Sequence, residues 1–291
     1  MTSQDILQVI LTGVTNGSIY GAIGIGFVVI HRITGVINFA MGDLALIGAF
    51  AAVVLSKMLP LWLAVPLGIV VAAASSTLVY ALAIRPLRRQ QLLVQVIATL
   101  GVAIAVRSLL QIVFGSGAYQ LEAFTAGPAI NLGGATIARQ ALWVVALTVV
   151  IVVLLTAFFD RTMLGRAVTA CAVNPFAAGV VGINVALMAA LSFGLAGAAA
   201  GTVAIAQTPL SVITVLGGLT LSLKGFVAAI LGGLDRIGLT VVGGVVLGLI
   251  EAATTIFAGS LYTTLAGLTL LLALLIFRPA GLTRLRVSTR V

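Results

Sequence analysis

The chain reads as an all-α, polytopic membrane protein of eight or nine transmembrane helices, and three observations carry that reading. Of its 291 residues 62% are hydrophobic and only 7% are charged, with a mean hydropathy of +1.30. A soluble domain keeps roughly a quarter of its residues charged, whereas a bilayer tolerates charge only at helix ends and in protected interiors. Apolar windows long enough to cross about 30 Å of hydrocarbon, at roughly 1.5 Å per residue, recur along the whole chain. The 33 glycines let helix backbones approach closely where lipid supplies no hydrophobic drive between helices.

The first window, 6–30, follows Asp5 without a basic leader or a small-residue cleavage site, so it predicts a span rather than a signal peptide. It carries Asn16, Ser18 and Tyr20, and a GxxxG pair at Gly17 and Gly21. The second window, 36–55, keeps Asn38 and Asp43 inside an apolar run. Lipid cannot hydrate an amide or a carboxylate, so these two side chains predict a face turned to protein or to a water-filled path. The third window, 61–84, ends in Arg85, Arg88 and Arg89. The fourth, 92–114, contains Arg107 within about two turns of its end, where a long side chain can snorkel to the interface.

Residues 115–139 are tolerant of polarity, with Glu122, Pro128, Asn131 and Gly133-Gly134, and read as a periplasmic loop. The fifth window is 140–159. After it, 160–184 opens on an amphiphilic stretch and contains the Asn174-Pro175 step, which predicts a short helix, a turn and a second short helix along the membrane surface. Windows 186–206, 211–234, 238–258 and 261–277 complete the series, with GxxxG pairs at Gly197/Gly201 and Gly244/Gly248. The whole of 1–291 is read as one transmembrane domain.

Basic residues set the orientation, because short cytoplasmic loops retain Lys and Arg. With the N-terminus outside, eleven fall on the inner side: Arg32, Arg85, Arg88, Arg89, Arg161, Arg166, Arg236, Arg278, Arg284, Arg286 and Arg290. Only Lys57 and Arg139 fall outside, and the C-terminus is cytoplasmic. If 36–55 dips in and returns as a re-entrant segment, the N-terminus moves inside and only Arg32 changes side. Arg107 and Glu251 lie near span ends and read as structural. Lys224 lies near the middle of its window with Gly217, Thr220 and Ala228 on its face, a stripe suited to helix contact, and two readings stay open: Asp43 is its counter-ion, or each of the two charges has a different partner.

Several functions are excluded or weakened. The net charge of +9 comes from scattered arginines rather than a basic run, so nucleic acid is not an expected partner; the lipid bilayer is. No GxxxxGK[ST], HExxH, CxxC or GxSxG motif is present, so neither catalysis nor ATP hydrolysis by this chain is expected. His31 is the single histidine, which argues against a histidine-based metal site, and no cofactor is expected. Cys171, alone, reads as structural.

Three stretches together resemble a known family: GSIYGAIGIGFVVIHRITGVINFAMGDLALIGAF, RPLRRQQLLVQVIATLG, and KGFVAAILGG with the ending FRPAGL. They are similar to the permease subunits of branched-chain amino acid ABC importers, more narrowly the LivH-type permease, from about Gly13 to Leu282. The resemblance implies a multi-pass bacterial inner-membrane subunit paired with a second, LivM-type permease, two cytoplasmic ATPase subunits that use the ATP, and a periplasmic substrate-binding protein. It implies that 160–184 docks into an ATPase, with Arg161, Gly165, Arg166, Ala170, Asn174 and Gly182 as coupling residues. The expected path residues are Asn16, Ser18, Tyr20, Asn38, Asp43 and Lys224. Met41 stands where the family usually has histidine, which weighs against a proton relay in 36–55. Val173-Asn174-Pro175-Phe176-Ala177 replaces a more polar run, and Asp235-Arg236-Ile237-Gly238 replaces a Gly-Ser-Ile-Pro type turn. The rival expectations are the same machinery carrying urea, short amides or another small solute; an ion-coupled carrier using Asp43, Lys224 and Glu251; and a channel or structural subunit.

Overall fold

Glycine spacing decides which helices touch in the computed structural model, which describes residues 3–87, 90–234 and 236–277. Arg88, Arg89, Asp235 and the C-terminal arginines Arg278, Arg284, Arg286 and Arg290, with all of the FRPAGL ending except its first residue, lie outside the described residues. The first unit comprises α1 (Ser3–Thr34), α2 (Met41–Leu55), α3 (Leu61–Val79) and α5 (Leu92–Phe114). A π-helical turn, Tyr80–Ile84, and the single turn α4 (Arg85–Leu87) prolong α3. A two-stranded hairpin, β1 (Ile130–Leu132) paired with β2 (Ala135–Ile137), interrupts the 115–139 loop; Gly133 and Gly134, at φ +57° and +95°, supply its turn.

Then α6 (Arg139–Arg161) runs to the opposite end, where α7 (Met163–Val173) and α8 (Pro175–Val180) lie. The second unit is α9 (Val185–Gln207), α10 (Gly217–Gly232), α11 (Ile237–Phe257) and α12 (Thr263–Phe277). Six helices are long and apolar enough to cross a membrane: Ser3–Thr34, Leu61–Leu87, Leu92–Phe114, Arg139–Arg161, Val185–Gln207 and Ile237–Phe257. α2 and α10, of 15 and 16 residues, rise only about 22–24 Å.

The first helix of each unit packs antiparallel on the third helix of the other through small residues. On α1, Gly13, Gly17 and Gly21 lie against Leu249, Val245 and Val241 of α11, and Gly244 and Gly248 meet the α1 backbone in return. On α9, Gly197 and Gly201 lie against Ala72 and Ser76 of α3. All three sequence GxxxG pairs therefore sit at helix crossings, where a Cβ would collide with backbone or with a neighbour's Cβ. The pairings mirror one another: α1 with α11 and α9 with α3, α2 with α9 and α10 with α1, and α2 with α10 at the centre. α1 begins at the hairpin end, where the Gln8 amide donates to the Thr136 carbonyl and accepts from its N–H; α9 begins at the other end. The two units are thus inverted repeats, an arrangement typical of transporters.

The windows 36–55 and 211–234 are not helical throughout. Residues 35–38 form no regular element and α2 starts at Met41, whose side chain lies against Gly26, about 12 Å short of the α1 C-terminus. Gly35 at φ +69° breaks α1, and the Asn38 side chain accepts the Ala40 N–H, a local turn that competes with helix. From there α2 rises toward the hairpin end, where Phe50 packs on Phe114 and Tyr119. α10 is built the same way in the opposite sense. Residues 208–216 start at the hairpin end, where Ile213 bridges to Tyr119, and helix begins only at Gly217.

The core follows from this centre. From Gly17 to Ile30 α1 is buried all round, with Ile23, Ile25, Phe27 and Ile30 removed from the surface, whereas α5 exposes Leu93, Ile97, Ile104 and Ile112.

Candidate functional site

The first turns of α2 and α10 meet inside the bundle. The Gly42 N–H donates to Ser222 Oγ at 2.8 Å, and Gly42 and Gly218 face each other so closely that a Cβ on Gly42 would strike the Gly218 carbonyl and one on Gly218 would strike the Asp43 carboxylate. Two helix N-termini, each with partial positive charge, converge on one region. Asp43 sits in this first turn, wholly buried, against both.

Asp43 pairs with Arg107 of α5. The Arg107 Nη2 lies 3.0 Å from Oδ2 and 3.2 Å from Oδ1, with Nε at 3.3 Å, and the guanidinium side chain is 20% exposed. Lys224 instead reaches α11: its Nζ is 2.8 Å from Glu251 Oε2 and 3.0 Å from the Tyr20 hydroxyl, which itself donates to Oε2 at 2.7 Å. The ammonium also lies 4.8 Å from the Tyr20 ring centroid. The Asp43–Lys224 reading is therefore corrected: each residue has another partner. Arg107 does not snorkel away but turns inward. The reason is depth. Because α2 starts well inside the bundle, Asp43 comes level with Arg107, while Lys224 faces α11 rather than α2.

Of the six expected path residues, the structure brings Tyr20 and Lys224 together. Asn16 is half-buried one turn from Tyr20, toward the hairpin end. Ser18 donates to the Val14 carbonyl and its own carbonyl accepts from Thr148, so it serves the α1–α6 contact. Asn38, fully buried, caps the turn before α2. Arg107 and Glu251 are the site residues that sequence reasoning underrated. Their signal was present, since a charge inside an apolar helix costs roughly 2.5–3.5 kcal/mol and demands a partner. Among the described residues, no three His, Cys, Asp or Glu side chains gather as a metal site would require.

At the opposite end, three side chains start three helices. Thr162 Oγ1 accepts the Gly165 N–H, Asn174 Oδ1 that of Ala177, and Asn184 Oδ1 that of Leu187, which fixes α7, α8 and α9 as successive turns. Gly165 packs on the Phe158 carbonyl and the Phe159 backbone, where no side chain fits. Gly182, at φ +87°, ends α8. Arg161, Arg166, Ala170 and Asn174 are exposed, and so are Met163, Val173, Phe176, Val180 and Val181. Cys171 is buried, and desolvation pushes its thiol up.

Residues 9–277 match the family described as branched-chain amino acid transport system / permease component. The chain is similar to the high-affinity branched-chain amino acid transport system permease protein LivH of Escherichia coli, at 31% identity over 95% of this chain and 94% of that protein. It is similar to the corresponding BraD of Pseudomonas aeruginosa, at 32% identity over 95% of each. A probable LivH of Methanocaldococcus jannaschii is 27% identical over 90% of this chain and 87% of its own length. Among solved structures, PsaBC from Streptococcus pneumoniae in complex with Fab shares the fold at a TM-score of 0.51 and 14% identity, over 94% of this chain and 92% of that one.

Proposed function

The chain belongs to the branched-chain amino acid transport system permease family, and from that premise we propose that it is the membrane subunit of an ATP-driven importer of branched-chain amino acids. The observation that carries the reading is a family match spanning residues 9–277. It is a multi-pass membrane protein. In this proposal it lies in the inner membrane with its N-terminus and the 115–139 loop outside, and it makes nine crossings, four per unit plus α6. The eleven-to-two count of basic residues and the hydrogen bonds between Gln8 and Thr136 support that orientation.

ATP is hydrolysed on two partner subunits in this scheme, and the chain itself needs no cofactor. The exposed apolar face of α7 and α8, flanked by Arg161 and Arg166, fits a docking surface for an ATPase, and the capped turns transmit its movement to α6 and α9 as a rigid body. A substrate-binding protein delivers solute at the hairpin end, and a second, LivM-type permease completes the pathway. The inverted units suit alternating access, because rocking one against the other opens opposite ends in turn. The meeting of α2 and α10 is the pivot: Gly42, Gly218 and Ser222 let the two backbones touch, Asp43–Arg107 ties α2 to α5, and Asn38 and Ser18 hold the surrounding backbone. Asn16, Tyr20 and Lys224 line the path.

The test is uptake by cells stripped of their own high-affinity system and carrying the complete importer. Leucine, isoleucine and valine uptake should require this chain and the binding protein together. Uptake of urea or short amides in place of these amino acids would overturn the cargo assignment.

A further inference from the structure

Between α10, α11 and α12 lies a small cavity lined by Leu223, Lys224, Val227, Glu251, Gly267 and Leu268. Its space for water centres is about 50 Å³, enough for three to five atoms the size of water, at roughly 10–15 Å³ each. Glu251 is only 2% exposed, and its two oxygens are used unequally. Oε2 takes both Tyr20 and Lys224, while Oε1 is buried with no hydrogen-bond partner. A bare carboxylate oxygen inside an apolar helix pair is costly, on the order of 1–3 kcal/mol or more for a charged group. A position for its missing donor exists: a Cβ added to Gly267 would lie 3.0 Å from Oε1, so the glycine leaves open the space a donor would fill.

Lys224 has the complementary surplus. Its ammonium carries three donors, two of which go to Tyr20 and Glu251, and its side chain is 19% exposed. The walls beyond the two charges are apolar except for Thr220. A ligand that satisfies both offers an N–H donor and an acceptor a few ångströms apart, and an aliphatic α-amino acid does so with full charges, its ammonium and carboxylate sharing one carbon on a short apolar body. We propose that this cavity receives the head group of an aliphatic amino acid in transit, its ammonium on Glu251 Oε1 and its carboxylate on Lys224. The inference rests on the transport reading above and assigns that reading a site. Tyr20 is a positioning residue here: it holds Oε2 and leaves Oε1 turned to the solute.

The test uses the complete importer in proteoliposomes, with radiolabelled leucine as the probe. Gly267→Ala puts a methyl group over Oε1 and leaves the ion pair in place; Glu251→Gln removes the charge that holds an ammonium. Both are expected to lower leucine uptake at least tenfold. The double variant Lys224→Met, Glu251→Leu separates recognition from structure, because replacing both members of a buried pair by apolar residues often preserves stability. It should co-purify with the partner subunits, melt near the wild-type temperature and still fail to transport. Uptake within twofold of wild type in the double variant, or in Gly267→Ala, would overturn the proposal. If Gly267→Ala does not assemble, the double variant decides. Wild-type vesicles that take up no leucine would sink the transport reading, and the site with it.

Discussion

Asp43 and Arg107 form the most exacting pair in the molecule, since Asp43 has no exposure and lies at two helix N-termini. Removing one member of a buried ion pair typically costs about 3–5 kcal/mol, because the other charge stays behind unpaired. Asp43→Ala should therefore lower the melting temperature of the detergent-solubilised complex markedly, and Arg107→Met in the same chain should restore most of the loss. No recovery in the double variant would show that the carboxylate acts through the helix termini rather than through Arg107. Gly42→Ala should be as damaging without changing any charge, because its methyl meets the Gly218 carbonyl and Ser222. At this scale the sequence told which side chains needed partners but not which partners they had. Distance along a window measures depth only when the helix begins at the membrane surface, and α2 does not.

At the scale of elements, helix positions were largely legible and helix starts were not. The window 36–55 is apolar enough to look continuous, yet Gly35 and the Asn38 turn delay helix until Met41. In the second unit, Pro209 lies ahead of α10 and the Gly217-Gly218 step opens it, in the corresponding place. Paired interruptions in corresponding halves are the sequence signal of discontinuous transporter helices. The 160–184 segment was legible in detail, because Asn174-Pro175 is both a helix cap and a turn. Two outcomes follow there. Thr162→Ala should weaken the α7 start by about 1 kcal/mol, visible as faster amide exchange in α7 and little change elsewhere. Phe176→Asp, at an exposed position, should leave permease melting unchanged and reduce co-purification of the ATPase subunits. Retention of full ATPase binding would move the docking surface away from α8. Cys171, buried on the other side of α7, should react slowly with maleimide until the protein is denatured.

For the whole molecule, the decisive feature is the inversion, and composition cannot reveal it. Each unit buries its small residues against the other, so neither α1 nor α9 has a complete packing surface alone. Their glycine faces, at Gly13, Gly17 and Gly21 and at Gly197 and Gly201, are matched by α11 and α3. In the proposed mechanism the two units tilt about the α2–α10 contact. Such tilting needs an energy source, and the chain carries no phosphate-binding loop of its own. The central claim is thus that transport by this chain is driven by ATP on its partners. The most direct measurement is leucine uptake into proteoliposomes holding the full assembly, with ATP at the ATPase face and the binding protein at the other. Saturable uptake that stops without ATP or without the binding protein, and that ignores a collapsed proton gradient, is the expected result. Uptake that continues without ATP and collapses with the proton gradient would contradict the account.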